Sequence, residues 1–280
     1  MRDIEGFPRL VILLVVLTGF LEGAGCFDSS ILIPPEPGRP SPLKPIHDVL
    51  TELFGKKGFV PYSVPGKGGP YEAGSIIRYQ DKAEVLVWAR DTCFGKIPQK
   101  DVDLFGPSTK WTDETELSGA LDFFVPPIAT TLGAELSTRN VETTRIAFAG
   151  MKVLQLPEGD VEELQTSQDF PKICRRSYGH QRILILGTIA AKAINFSMMS
   201  ESDLRTAFAA KPLNLPLGGK ITFKKIRSGE YTMQAELDEP IVFGYLPSPL
   251  VETSEGMATQ RLSAEDALRL KAGLLSPPGF

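Results

Sequence analysis

Apolar positions at Ile46, Val49, Leu50, Leu53 and Phe54 recur at the i, i+3, i+4, i+7 spacing of one helical stripe. Gly55 and Gly58 come next as a left-handed stop, so the pattern predicts a helix over 46–54. Beyond it the period drops to two. Phe59–Val64 reads as a strand entering the Gly/Pro-rich turn Pro65–Pro70. Ser75–Tyr79 and Glu84–Ala89 read as a hairpin closed by Gln80–Lys82. Their pairing is antiparallel, since a parallel pair would need a crossover of about a dozen residues or more and the sequence has no room for one.

The middle is less regular. Phe94–Glu116 reads as loop, and the apolar segment LSGALDFFVPPIATTLGAELS is broken at Pro126 and Pro127. Arg145–Leu156 is strand-like, and Asp160–Phe170 is a predicted helix set between Gly159 and Pro171. The run RILILGTIAAKAINFSM (Arg182–Met198) is the near-continuous apolar stretch expected of a strand buried on both faces. Periodicity alone leaves helix open there; Gly187, Thr188 and the isoleucines favour strand.

Lys220–Arg227 and Tyr231–Leu237 form a second hairpin around Ser228-Gly229. Tyr231, Met233, Ala235 and Leu237 lie on one face, and Thr232, Gln234 and Glu236 lie on a face predicted to be wet. A strand Ile241–Tyr245 is expected after a Glu239-Pro240 turn, with loop from Pro247 onward. Near the end, Ser263 caps a short helix whose first turn carries Glu265 and Asp266. Leu262, Ala267, Leu268 and Leu270 give this helix an apolar side expected to dock on the core. Helices and strands mix without β-α-β alternation and without an internal repeat. The expected class is therefore α+β: a mostly antiparallel twisted sheet with a few short helices.

The N-terminus has another character. An uncharged run, Leu10–Leu21, comes after Arg2 and Arg9 and leads to Gly23, Ala24, Gly25 and Cys26. It fits the roughly 7 to 15 apolar residues of a signal h-region and falls short of the roughly 20 of a spanning helix. Small residues before a cysteine suit a lipoprotein precursor, with cleavage between Gly25 and Cys26 and lipid on the Cys26 thiol. An ordinary secretory signal, an uncleaved anchor and a buried helix of a soluble protein are the alternatives. The next stretch, IPPEPGRPSPLKP, is extended spacer, because proline fixes φ and removes donors. The expected organisation is a signal peptide (1–25), a lipid anchor and Pro-rich linker (26–45), an α+β core (46–250) and a C-terminal tail (251–280).

Charge excludes one class of partner. The chain has a net charge of −4 and a pI of about 5.4, with basic residues scattered, where a nucleic-acid binder would cluster them. With Cys26 assigned to lipid, Cys93 and Cys174 remain as a pair that bridges in an oxidising compartment or stays as two small buried hydrophobes.

No catalytic motif stands out. His47 and His180 are the two histidines, neither in a GxSxG or HExxH context, and the cysteines are too far apart for a CxxC zinc site. Asp160, Glu162 and Glu163 are explained as a solvated helix start. Gly66–Gly69 and Gly218-Gly219 lack a phosphate-loop pattern. Lys172, Arg175 and Arg176 form a small basic group that meets either water or anionic headgroups. The chain is read as a non-enzyme with no metal and no cofactor.

Several pieces, taken in order, resemble the bacterial gasdermins. GKKGFVPYSVPGKG resembles that family's glycine turn and first strand, and TRIAFAGMKVLQLPEGDVEEL its strand, turn and acidic helix. RILILGTIAAKAINFSM, LPLGGKITFKKI and EPIVFGYLP resemble its closing strands. The resemblance implies a lipidated N-terminal cysteine and a C-terminal segment that blocks pore formation until a protease removes it. Cys26 and Val251–Phe280 stand in those places. Bacterial gasdermins act from the cytoplasm without a cleavable signal, so the leader departs from that pattern.

The expectation is an envelope lipoprotein on the periplasmic side, with the outer membrane favoured, acting by binding or membrane interaction and held by its N-terminal lipid. Within that frame it is a latent pore former, a structural or assembly lipoprotein with envelope protein partners, or a cell-wall hydrolase built on a carboxylate pair. Oligomeric state is left open.

Overall fold

The run of branched apolar residues at 183–199 is the spine of the sheet. In the computed structural model, which describes residues 43–66, 72–105, 110–175, 182–204, 219–253, 256–260 and 262–273, it forms β7 (Ile183–Met199), where only Lys192 and Met199 are exposed. In the numbering used below, the other strands are β1 (Val60–Gly66), β2 (Ile76–Gln80), β3 (Ala83–Trp88), β4 (Lys100–Asp101), β5 (Thr115–Glu116), β6 (Thr143–Gln155), β8 (Gly219–Arg227), β9 (Glu230–Thr253) and β10 (Gly256–Thr259). The helices are α1 (Ile46–Phe54), α2 (Arg90–Cys93), α3 (Leu117–Phe124), α4 (Pro126–Ser137), α5 (Glu158–Thr166), α6 (Lys172–Arg175) and α7 (Ala264–Lys271).

Every ladder between these strands is antiparallel. β9 runs along one edge of β7, and β6 and β2 share the other. β8 and β1 pair with successive parts of β9, and β3 pairs with β2. The architecture is thus the expected α+β arrangement of a mostly antiparallel sheet with short helices.

Three local departures from the sequence reading have physical causes. First, Glu239-Pro240 is not a turn. β9 continues through it, and the extra residues between the Glu236–Ala193 and Ile241–Ala191 pairs are taken up as an irregularity in the ladder, a position where a missing proline donor is tolerated.

Second, the chain beyond Pro247 is strand, not loop. Leu250 N–H donates to Arg182 O on the β7 side, while Pro249 O accepts from Gln260 N–H on the opposite edge. Alternating residues point the same way, so Pro247 and Pro249 both face away from β7 and cost that ladder nothing. The segment then turns back as β10, which sequence reading missed.

Third, the polar face of the β8–β9 hairpin is wet along β8, where Lys220, Thr222 and Lys224 are exposed, but is partly covered along β9. Thr232 is buried, and Gln234 and Glu236 are half-buried. Thr232 and Gln234 stand opposite Ser197 and Asn195 of β7, both buried, so polar residues of adjacent strands cover one another. Glu230, also buried, pairs with Arg227.

The broken apolar segment at 117–137 is a helical pair. Pro126 and Pro127 occupy the first turn of α4, where the missing N–H would have no intrahelical partner anyway, so they separate two helices without destroying either. α5 begins at Glu158, two residues before its predicted start, and encloses Gly159; Phe170 lies beyond its end.

The largest core packs α1, α3 and α4 on the sheet around Phe54, Phe124, Phe148, Phe196 and Phe243. There Phe148 and Phe243 stack at 4.7 Å. A second core lies around Phe94, Val161, Phe170 and Leu184, and in it Cys93 of α2 is disulfide-bonded to Cys174 of α6, 81 residues apart in sequence. A third lies beneath α7. Residues 1–42, with the proposed leader, Gly25, Cys26 and most of the linker, are outside the described residues, as are Lys67, Gly68, Gly69, Arg176, His180 and Gly218.

Candidate functional site

The C-terminal helix meets the sheet over a cluster of buried polar side chains. Asp81 and Lys82 have φ of 51° and 64°, as in the type I′ turn that matches the twist of a two-residue hairpin. This turn fixes the register that sets Tyr79 opposite Glu84, so both project from one face. On β9, Tyr245 lies between Val60 of β1 and Thr188 of β7, and its ring stacks on Tyr62 at 4.5 Å.

The hydroxyls run in one direction. Tyr245 Oη donates to Glu84 Oε1 at 3.1 Å. With that hydrogen committed, it accepts from Tyr79 Oη at 3.0 Å. Glu84 Oε2 accepts from Ser63 N–H at 3.1 Å.

The tail supplies the cation. Asp266 N–H donates to Ser263 Oγ at 3.0 Å, capping α7, and Gly273, with φ of 72°, lies just past its end. Eight residues are too few for a stable isolated helix in water. The burial of Ala267 and Leu270 in the core that holds Val60, Tyr62, Ile77 and Tyr245 seats it. Lys271 lies one helical turn beyond Ala267, on the same side. Its Nζ donates to Pro61 O at 3.0 Å and approaches Glu84 Oε1 to 2.6 Å. The Lys271 and Glu84 side chains are 12% and 3% exposed, which makes this a buried ion pair.

The electrostatics of the cluster follow from its burial. Burial raises the pKa of both phenols above the ordinary tyrosine value, so they stay protonated at neutral pH and do not serve as bases. His47 of α1 packs edge-on against Phe123 at 5.1 Å. Burial holds its pKa below the usual histidine value, and the charge of Lys271 adds to this; Asp48 and Glu84 oppose it.

The tail is held at a second place. β10 pairs with residues 250–253 of β9, Ser248 Oγ donates to Gln260 O at 3.0 Å, and α5 lies against β10.

The sequence-derived candidates lie elsewhere. Asp160, Glu162 and Glu163 are exposed along α5. A cleft of about 600 Å³ lies along α3 and α4 and carries Glu116, Asp122 and Glu142. All three are exposed. No group of three or more His, Cys, Asp or Glu among the described residues is placed to hold a metal.

Sequence reading missed Tyr79, Glu84, Tyr245 and Lys271. Two signals were present: a glutamate opposite a tyrosine next to a tight turn, and a lysine four residues after Ala267, on the apolar side of the last helix.

No family model matches the sequence, and no curated protein sequence matches it. Among solved structures the chain is similar to a bacterial gasdermin from Bradyrhizobium tropiciagri, with a TM-score of 0.51 at 11% identity. The match covers 76% of this chain and 90% of that one. At this identity the likeness is one of fold: the described sheet and its helices follow the architecture of a bacterial gasdermin.

Proposed function

We propose that the protein is a latent, non-catalytic pore former of gasdermin type, held to the cell envelope by lipid on Cys26 and kept inactive by its C-terminal tail. The observation that carries this reading is the buried Lys271–Glu84 ion pair, which fastens an otherwise marginal helix onto a gasdermin-like sheet. A helix placed there for packing alone would not need a buried charge. Removing one partner of such a pair is costly, and replacing both with apolar residues often is not.

The strands supply material for a membrane hairpin. A barrel strand needs about 9 to 11 residues. β8 has nine, and Lys220–Lys225 pair in register with Tyr231–Glu236. Ile221 and Phe223 of β8 pack with Tyr231, Met233 and Ala235 on one face, so the hairpin carries one apolar face. No helix among the described residues is long and apolar enough to cross a membrane, and insertion in this reading uses strands.

The test is dye release from liposomes. Deletion of residues 256–280 keeps β9 whole and removes β10 and α7. The truncated protein should leak dye where the intact chain does not. A folded truncation that leaves the liposomes sealed removes the proposal.

A further inference from the structure

We propose that the Cys93–Cys174 disulfide is a redox-sensitive clamp on the root of the tail: its reduction by a dithiol loosens α5 and releases β10. As regulation of the tail this rests on the proposed function, but its structural basis is separate.

α5 is a poorly seated helix. Its buried residues are Val161 and Gln165. Gln165 is 2% exposed, and neither its Oε1 nor its Nε2 has a hydrogen-bond partner among the described residues, so its burial opposes docking. Glu158 and Asp160 suit the first turn of this nine-residue helix, but Glu162 and Glu163 add further negative charge and its last turn has no basic residue.

The chain just after α5 is pinned instead. Pro171 leads into α6, and Cys174 of α6 is bonded to Cys93. The same core contains Val161, Phe170 and Leu250. Leu250 is the β9 residue paired with Thr259 of β10, and β10 rests on α5. Disulfide, helix and tail root are therefore contiguous.

The approach to the bond is from the Cys93 side. Cys174 is fully buried, and Cys93, 3% exposed, lines a cavity of about 310 Å³ with Thr92, Lys96, Leu164 and Asp169. A reductant thiolate attacks Cys93 Sγ. The Cys93–Cys174 bond breaks as a mixed disulfide forms, and the bonding pair leaves on Cys174 Sγ, which takes up a proton. Arg182 Nη1 donates to Cys174 O at 3.4 Å and ties α6 to the sheet. The second thiol of the reductant then displaces Cys93. Two electrons and two protons have passed to the cysteines, and the reductant has closed into its own disulfide.

The experiment is amide hydrogen exchange on the full chain before and after dithiothreitol, with alkylation and mass measurement confirming reduction. Exchange at 256–260 and 158–166 should rise about tenfold or more, with β7 unchanged. A Cys93→Ser, Cys174→Ser double variant should begin at the fast rate and ignore the reagent; if it does not fold, the reduced natural chain carries the test. Reduction without faster exchange at β10 overturns the proposal. So does an equal rise in β7, which would mark a general staple, or a disulfide that resists the dithiol in the folded protein. Because leakage is not the readout, a truncation that leaves liposomes sealed would sink the proposed function and leave the clamp standing.

Discussion

Tyr245 hands its hydroxyl hydrogen to the same Glu84 oxygen, Oε1, that receives the ammonium of Lys271. One carboxylate therefore ties together the β2–β3 hairpin, the middle of β9 and the C-terminal helix.

Glu84→Gln and Lys271→Met should each weaken the seating of α7, by about 3 to 5 kcal/mol where a buried charge is left alone. The combined Glu84→Leu, Lys271→Met variant should recover much of that loss, the signature of a coupled pair. Limited proteolysis at 262–273 reads the effect directly. Additive losses in the double variant would show that the two charges do not act together.

Alkaline pH should loosen the same place. The folded-state pKa values of Tyr79 and Tyr245 are raised by burial. Their contribution is thus fully present below the unfolded tyrosine value of about 10 and declines as pH rises beyond it. Thermal melts from pH 8 to 11 should show a fall in Tm that is shallower in Tyr79→Phe.

At the acid end the sign reverses. His47 has a depressed folded-state pKa, so its neutral form favours the fold. That contribution is present above about pH 6.5 and is lost as pH falls through the folded value. His47→Leu should flatten the decline in Tm between pH 7.5 and 5, and a titration of the His47 ring proton should show a midpoint below the ordinary one.

Phe223→Asp, made in the protein lacking residues 256–280, should abolish dye release. A charge on the lipid-facing side of a barrel strand costs about 2 to 4 kcal/mol near the bilayer midplane. Circular dichroism checks that the sheet survives. Lys224→Ser, on the opposite and exposed side of β8, should leave leakage near the unmodified level.

Aromatic packing carries much of the main core. Phe148→Ala, which removes one ring of the Phe148–Phe243 stack, should cost about 3 to 5 kcal/mol, read as a lower denaturant midpoint.

Elements whose character is set locally were legible in the chain. The Ile46–Phe54 stripe and the Ser263 cap declare helices, and the Ile183–Met199 run is apolar enough to be read as a buried strand. The features that eluded reading were set by distant partners. Glu239-Pro240 and Pro247 look like breaks until β7 is beside them, and the 117–137 segment is two helices because prolines suit a first turn as well as a break. Lys271 looks like an ordinary helix-end cation, and Glu84 like an edge charge. Only the register of β1, β2, β3 and β9 brings them together, and that register is a long-range property.

The orientation of Pro247 and Pro249 has a consequence for solubility. Both point toward the side where the tail returns. Were the tail to depart, that border of the sheet would present carbonyls at these two positions without the amides a new neighbour needs. A stripped molecule would thereby be discouraged from stacking edge to edge into aggregates.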